Sequence, residues 1–171
     1  ALESLWNRNA TVTTAEAAVE AAIAVMRRLP PAYEAAKAGD ATGFAAARLM
    51  LEASAMAGFA FGITGTAVVH ALSFVLTEEW RVHHGTACAF ALEDGFRLAL
   101  GDPGVRKTLA RIGDALLLRP GAAPAAADGA AAADGADLLL AKILELKVAM
   151  GLPSSFADLG VHLLNHAIVT P

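Results

Sequence analysis

The 171-residue chain has a single cysteine, Cys88, so an internal disulfide is excluded. That cysteine usage suits a cytoplasmic protein. Basic residues are the minority: 13 Lys and Arg stand against 17 Asp and Glu, a net charge of −4. Nothing in this balance points to a nucleic-acid partner. No run alternates apolar and polar residues convincingly, so strands are not expected. No G-x-G-x-x-G leads into a helix, and there is no P-loop. Gly62-Ile63-Thr64-Gly65-Thr66 reads as a helix break and not as a phosphate cradle. Ser73 lies one helical turn from His70, but no elbow motif makes it a hydrolase nucleophile. The stretch from Ala1 to Thr14 has no apolar core of a signal peptide.

What the chain does have is an apolar stretch, Ala53 to Phe90, carrying three of the five histidines. Between Ala53 and Thr77 there is no Asp, Glu, Lys or Arg. Length alone makes that window a transmembrane candidate. The Gly62–Gly65 break, His70 inside the run, and the flanking Glu52, Glu78 and Glu79 argue instead for two buried helices of a soluble all-α core. No membrane partner is expected. His70 sits deep in this run, and His84 comes fourteen residues later, directly before Gly85. A histidine on an apolar face is ordinarily a core residue. Two on consecutive helices, flanked by small residues, can instead converge on one metal ion. Cys88, in an apolar helix, reads as a buried and inert thiol.

Local signals divide the chain into helices. Leu2, Leu5 and Trp6 share one face of an opening turn that ends at Asn7-Arg8-Asn9. Thr13 and Glu16 form an expected capping box for a helix to Arg28, which Pro30-Pro31 stops, with a short helix to Lys37 beyond. Gly39-Asp40 turns into a long helix from Ala41 to Phe61. Thr66 is the expected cap of the His70 helix, Glu78 to Arg81 a polar turn, and His84 the first turn of a helix to Leu98. The positive end of that helix favours a neutral imidazole at His84. Asp102 and Pro103 start a helix to Leu118. Residues 121–135 are only Ala, Gly, Pro and Asp, and read as a flexible loop before a helix from Ala136 to Met150. A short helix is expected over Phe156 to Leu159. His162 and His166 have metal-ligand spacing but lack an acidic partner.

The segment GFAFGITGTAVVHALSFVLTEEWRVHHGTACAF resembles the metal-binding segment of the iron-containing (group III) alcohol dehydrogenases. Ala57-Gly58-Phe59-Ala60-Phe61 matches that family's small-residue helix, His70-Ala71 its first histidine motif and His84-Gly85 its second. The resemblance implies an all-α, multi-helix C-terminal domain of the dehydroquinate-synthase-like fold, with His70 and His84 as metal ligands. It implies a divalent metal, Fe2+ or Zn2+, acting as Lewis acid while hydride passes between a small alcohol or aldehyde and NAD or NADP. Many members carry a further histidine where this chain has Phe74; the departure bears on the proton relay, and Phe74 becomes an apolar wall near the nicotinamide. In the family, an Asp-x-x-x-His ligand pair precedes a stretch that Ala1-Leu2-Glu3 matches, so that pair is expected immediately before Ala1. The chain then reads as a fragment lacking an N-terminal nucleotide-binding α/β domain, inactive alone, with homo-oligomerisation allowed. Trp6, Asn9 and His83 are weaker candidates for contact with substrate. The opening ALESLWNRNA resembles the branch that reduces small phosphonate aldehydes such as phosphonoacetaldehyde.

Two other readings compete. One is a non-enzymatic helical interaction module with core histidines, which requires His70 and His84 to lie too far apart to share an ion. The other is a zinc-dependent relative of the glycerol-dehydrogenase type. The His-Gly opening and the fourteen-residue gap favour the iron branch.

Overall fold

The computed structural model describes residues 1–39, 42–117 and 133–161, and all seven elements in them are helices. The all-α expectation holds among these residues. The elements are α1 (Leu2–Leu5), α2 (Val12–Ala38), α3 (Thr42–Thr64), α4 (Val68–Trp80), α5 (His84–Ala99), α6 (Pro103–Leu117) and α7 (Gly135–Ala149). They pack as three pairs: α2 on α3, α4 on α5, and α6 on α7. The short α1 lies against both α2 and α3.

Small residues set these pairings. Ala18, Ala21 and Ala22 of α2, with Ala53 and Ala60 of α3, are almost fully buried, so the two backbones approach closely. The core beneath joins Leu5 to Phe96, Leu109, Ile112 and Leu139. Burying a side chain such as Phe96 stabilises the fold by about 1.5–3 kcal/mol. A second cluster, of Leu76, Val82, Ala87 and Val161, closes the far end of the α4–α5 pair. At the α6–α7 crossing, Gly113 meets the backbone of Gly135, and a Cβ on either would overlap a carbonyl oxygen of the facing helix.

Several boundaries differ from the sequence expectation, each for a physical reason. The α2 cap is Thr11, not Thr13, and its box partner is Thr14, not Glu16. The Glu16 carboxylate instead pairs with Arg111 of α6, at 2.8 Å. Pro30-Pro31 does not end α2. The helix lies along α3, and the Arg28 guanidinium donates to the Leu49 carbonyl at 2.9 Å, so tertiary contact outweighs the lost backbone bonds. Gly39, with φ 68°, ends α2. Helix α3 runs to Thr64, so the break is Gly65–Ala67; Gly65 has φ 76°. Helix α4 runs through the expected polar turn to Trp80. Asp102 caps α6 as expected; Asp134 caps α7, and Gly135 is already helical. Most of the 121–135 loop, Asp40, and His162 and His166 lie outside the described residues. Residues 156–159 form turns, not a helix; Asp158 accepts the Ser154 and Ser155 amides there.

The α3–α4 stretch is not buried on all sides, contrary to expectation. Leu51, Phe59 and Ile63 of α3, and Leu72, Phe74 and Val75 of α4, are exposed because, among the described residues, α3 is covered mainly by α2 and α4 by α5. By length and composition alone, Ala45–Thr64 is long and apolar enough to cross a membrane.

Candidate metal centre

Helices α4 and α5 form an antiparallel hairpin that folds His84 back onto His70. The turn depends on Arg81, which adopts the left-handed conformation at φ 59°. The next residue, Val82, donates its amide to the Leu76 carbonyl at 3.2 Å. His84 then opens α5, with the His83 carbonyl accepting from Ala87 at 2.9 Å. Gly95 of α5 lies directly under Val69, where a Cβ would collide with the valine methyl. In this hairpin the two imidazoles stand at a centroid separation of 5.5 Å. The non-enzymatic reading required a gap no single ion could span, and these rings are in contact range.

The start of α4 has no side-chain cap of its own; Thr66, expected there, does not supply one. Glu3 of α1 does so from across the fold. Its Oε1 accepts from Val69 N–H at 2.7 Å and Ala67 N–H at 3.1 Å, and its Oε2 is hydrogen-bonded to His70 Nδ1. The carboxylate is buried, and the positive end of α4 favours its charge there. Because a carboxylate accepts, His70 Nδ1 is the donor of this contact, and in the neutral ring Nε2 would present the lone pair. Sequence reasoning used Glu3 only as part of a family match and missed this role. Its signal was a lone acid in an otherwise apolar turn.

His84 is held by a parallel device. Ser73 is fully buried and donates its single proton to the His70 carbonyl at 2.8 Å. Its oxygen, 3.4 Å from His84 Nδ1, is left to accept. In a neutral ring whose Nδ1 donates to this oxygen, Nε2 would present the lone pair. Phe74 stacks on the His84 ring, with centroids 5.8 Å apart and planes inclined by 14°. Cys88 lies one turn beyond His84 on the same face, its Sγ 3.6 Å from His84 Nε2. It is half-buried and part of the cluster, not the secluded thiol expected from its apolar surroundings. One potential ligand atom from each of His70, His84 and Cys88 lies within 4.8 Å of the others.

The residues present fit a divalent metal: two imidazoles with a free nitrogen each, one backed by a carboxylate, as metal-binding histidines usually are. A cavity of about 480 Å³ runs from His70 and Cys88 between α2, α3 and α7, walled by Met26, Leu139 and Ile143. Lys147 also lines it. The weaker substrate candidates do not. Asn9 donates its side-chain amide to the Thr64 carbonyl at 3.1 Å. Trp6 packs edge-on against Phe96, its Nε1 buried and without a partner among the described residues. His83 is exposed beside Gly85.

The profile of the "Fe-containing alcohol dehydrogenase family, C-terminal" matches residues 1–167. The chain belongs to the iron-containing alcohol dehydrogenase family. Among solved structures, a 1,3-propanediol oxidoreductase is similar over 96% of this chain at 26% identity, with a TM-score of 0.74. The chain spans only 40% of that protein's length, so it corresponds to the C-terminal helical part of the dehydrogenase fold. No curated protein gives a significant match.

Proposed function

We propose that this chain is the metal-binding helical domain of an NAD(P)-linked alcohol dehydrogenase or aldehyde reductase, with His70 and His84 as ligands through Nε2. The observation that carries the reading is the pair of imidazoles in contact range, each with its Nδ1 in hydrogen-bonding reach of Glu3 or Ser73. Iron or zinc suits such donors. When bound, the ion supplies Lewis acidity toward a carbonyl oxygen.

The protein's own residues do the rest. Glu3 and Ser73 fix ring orientation and tautomer. Phe74, half-exposed beside His84, forms an apolar wall for a nicotinamide and keeps water from that side. The mainly apolar cavity next to His70 takes a small alcohol or aldehyde. The nucleotide itself is held by an α/β domain outside this chain, which alone binds metal weakly and does not turn over. The cytoplasm is its proposed location.

Elemental analysis of the full-length protein tests this. Iron or zinc near one equivalent is expected, with loss of both in His70→Ala and His84→Ala. Metal-free wild-type protein that still oxidises NAD(P)H with aldehydes would overturn it.

A further inference from the structure

We infer that the cavity beside His70 takes a small aldehyde or alcohol bearing a carboxylate, and that Lys147 of α7 receives this group. The inference rests on the proposed dehydrogenase reading and names the substrate class of that same site. Three observations carry it. First, Lys147 is only 9% exposed, yet its ammonium has no hydrogen bond or ion pair among the described residues. Burying a charge is costly unless it is paired, so this position calls for an anion. Second, Lys147 lines the cavity that His70 also lines. The other charged side chain there is Glu3, whose two oxygens are taken by the Ala67 and Val69 amides and by His70. The wall is therefore negative beside His70 and positive at Lys147, which turns an anionic ligand one way: carboxylate to Lys147, its other end toward His70. Third, Lys147 also borders a surface groove whose carboxylates are engaged elsewhere. Glu93 holds Arg97 at 2.8 Å, and Asp158 accepts the Ser154 and Ser155 amides.

The count of charges selects the ligand. A lysine ammonium is a single point charge and matches a carboxylate. A doubly charged phosphonate calls for a second cation, and no other lysine or arginine lines the cavity among the described residues. The remaining walls are mainly apolar, and a volume of about 480 Å³ accommodates a chain of a few carbons between the two ends. Lys147 binds and orients the substrate; it takes no part at the reacting carbon.

The probes are succinic semialdehyde against butanal, and γ-hydroxybutyrate against butanol, with the full-length protein. In NAD(P)H oxidation the wild type should favour succinic semialdehyde in kcat/KM by about 10- to 100-fold, the range for a hydrogen bond to a charged group. Lys147→Met keeps the bulk of the side chain without its charge and should bring that ratio to near unity, with the loss falling on KM. Lys147→Arg should retain part of it. A second readout needs no turnover and no variant. In chelator-treated wild-type protein no metal can hold the carboxylate, and calorimetry should still show γ-hydroxybutyrate binding more tightly than butanol by a similar factor. A lysine that only supports the fold would leave both ratios unchanged in Lys147→Met and move the melting temperature alone, which overturns the inference. Equal use of the two aldehydes by the wild type, or a preference for phosphonopropanal over succinic semialdehyde, overturns it too and leaves the histidine centre standing. Wild-type protein with no metal and no turnover of any of these aldehydes overturns the dehydrogenase reading, and this inference with it.

Discussion

Glu3 and His70, 67 residues apart in sequence, are joined by a hydrogen bond between a carboxylate oxygen and Nδ1, and the same carboxylate caps the helix on which His70 rides. One side chain thus sets where α4 begins and which nitrogen of His70 is free. Glu3→Gln separates the two tasks. The amide oxygen can still accept from Ala67 and Val69, but its NH2 then points at His70 Nδ1, forcing the proton to Nε2. Metal affinity should fall by about 10- to 100-fold with little change in melting temperature. Glu3→Ala removes the cap as well and should also cost about 1–3 kcal/mol of stability by leaving buried donors unpaired. Zinc competition titrations alongside thermal melts check both. Unchanged affinity in Glu3→Gln would show that the carboxylate does not govern the tautomer.

Gly95 offers a way to move His70 without touching it. A methyl group there meets Val69, the residue before His70. Gly95→Ala should push α4 away from α5, at a cost of about 1–3 kcal/mol for an overpacked contact. Because the displaced element carries His70, metal affinity should drop with stability. Val69→Ala in the same chain makes room for the methyl and should restore part of both. Affinity that stays at the wild-type level while the melting temperature falls would uncouple the hairpin spacing from the centre.

The α6–α7 crossing is the control. Gly113 abuts the Gly135 carbonyl, where the neighbour is backbone and cannot rotate aside. Gly113→Ala should destabilise the chain by at least about 1–3 kcal/mol. It lies in a different helix pair from the histidines, so in protein that still folds zinc affinity should be unaltered. Chemical denaturation and a zinc titration on the same sample test this.

The helices were legible where their signals are local. Asp102 and Asp134 announce α6 and α7 because a cap is a contact between near neighbours. The His70–His84 spacing was legible because a two-helix hairpin maps sequence distance onto a short spatial one. What the sequence hid is non-local. Pro30-Pro31 continues a helix because α3 lies alongside it. Thr66 fails as a cap because Glu3 arrives from α1. Cys88 looked inert because apolar neighbours in sequence gave no hint that His84 Nε2 stands beside its sulfur. The exposed faces of α3 and α4 look like core by composition, since hydropathy does not say which side a neighbour covers.

The turn after α7 carries a pH signature of its own. Asp158 accepts the Ser154 amide at 3.1 Å and the Ser155 amide at 2.9 Å, along with the Ser154 hydroxyl. These donors, the Ser154 amide foremost, hold its carboxyl below the usual aspartate value. Linkage sets the sign. A depressed pKa in the folded state means that the carboxylate's contribution is fully present above the unfolded value of about 3.9. It is lost as pH falls through the lower, folded value. The turn that seats Leu159 and Val161 on the second core cluster should therefore loosen only in strong acid. Carboxyl-carbon NMR of Asp158 should titrate at lower pH than the same residue in an unfolded peptide spanning Ser154 to Gly160. Asp158→Asn should abolish the acid-dependent step, leaving the turn equally loose across the range. Coincident titration of protein and peptide would mean that the serine donors do not engage the carboxylate in solution.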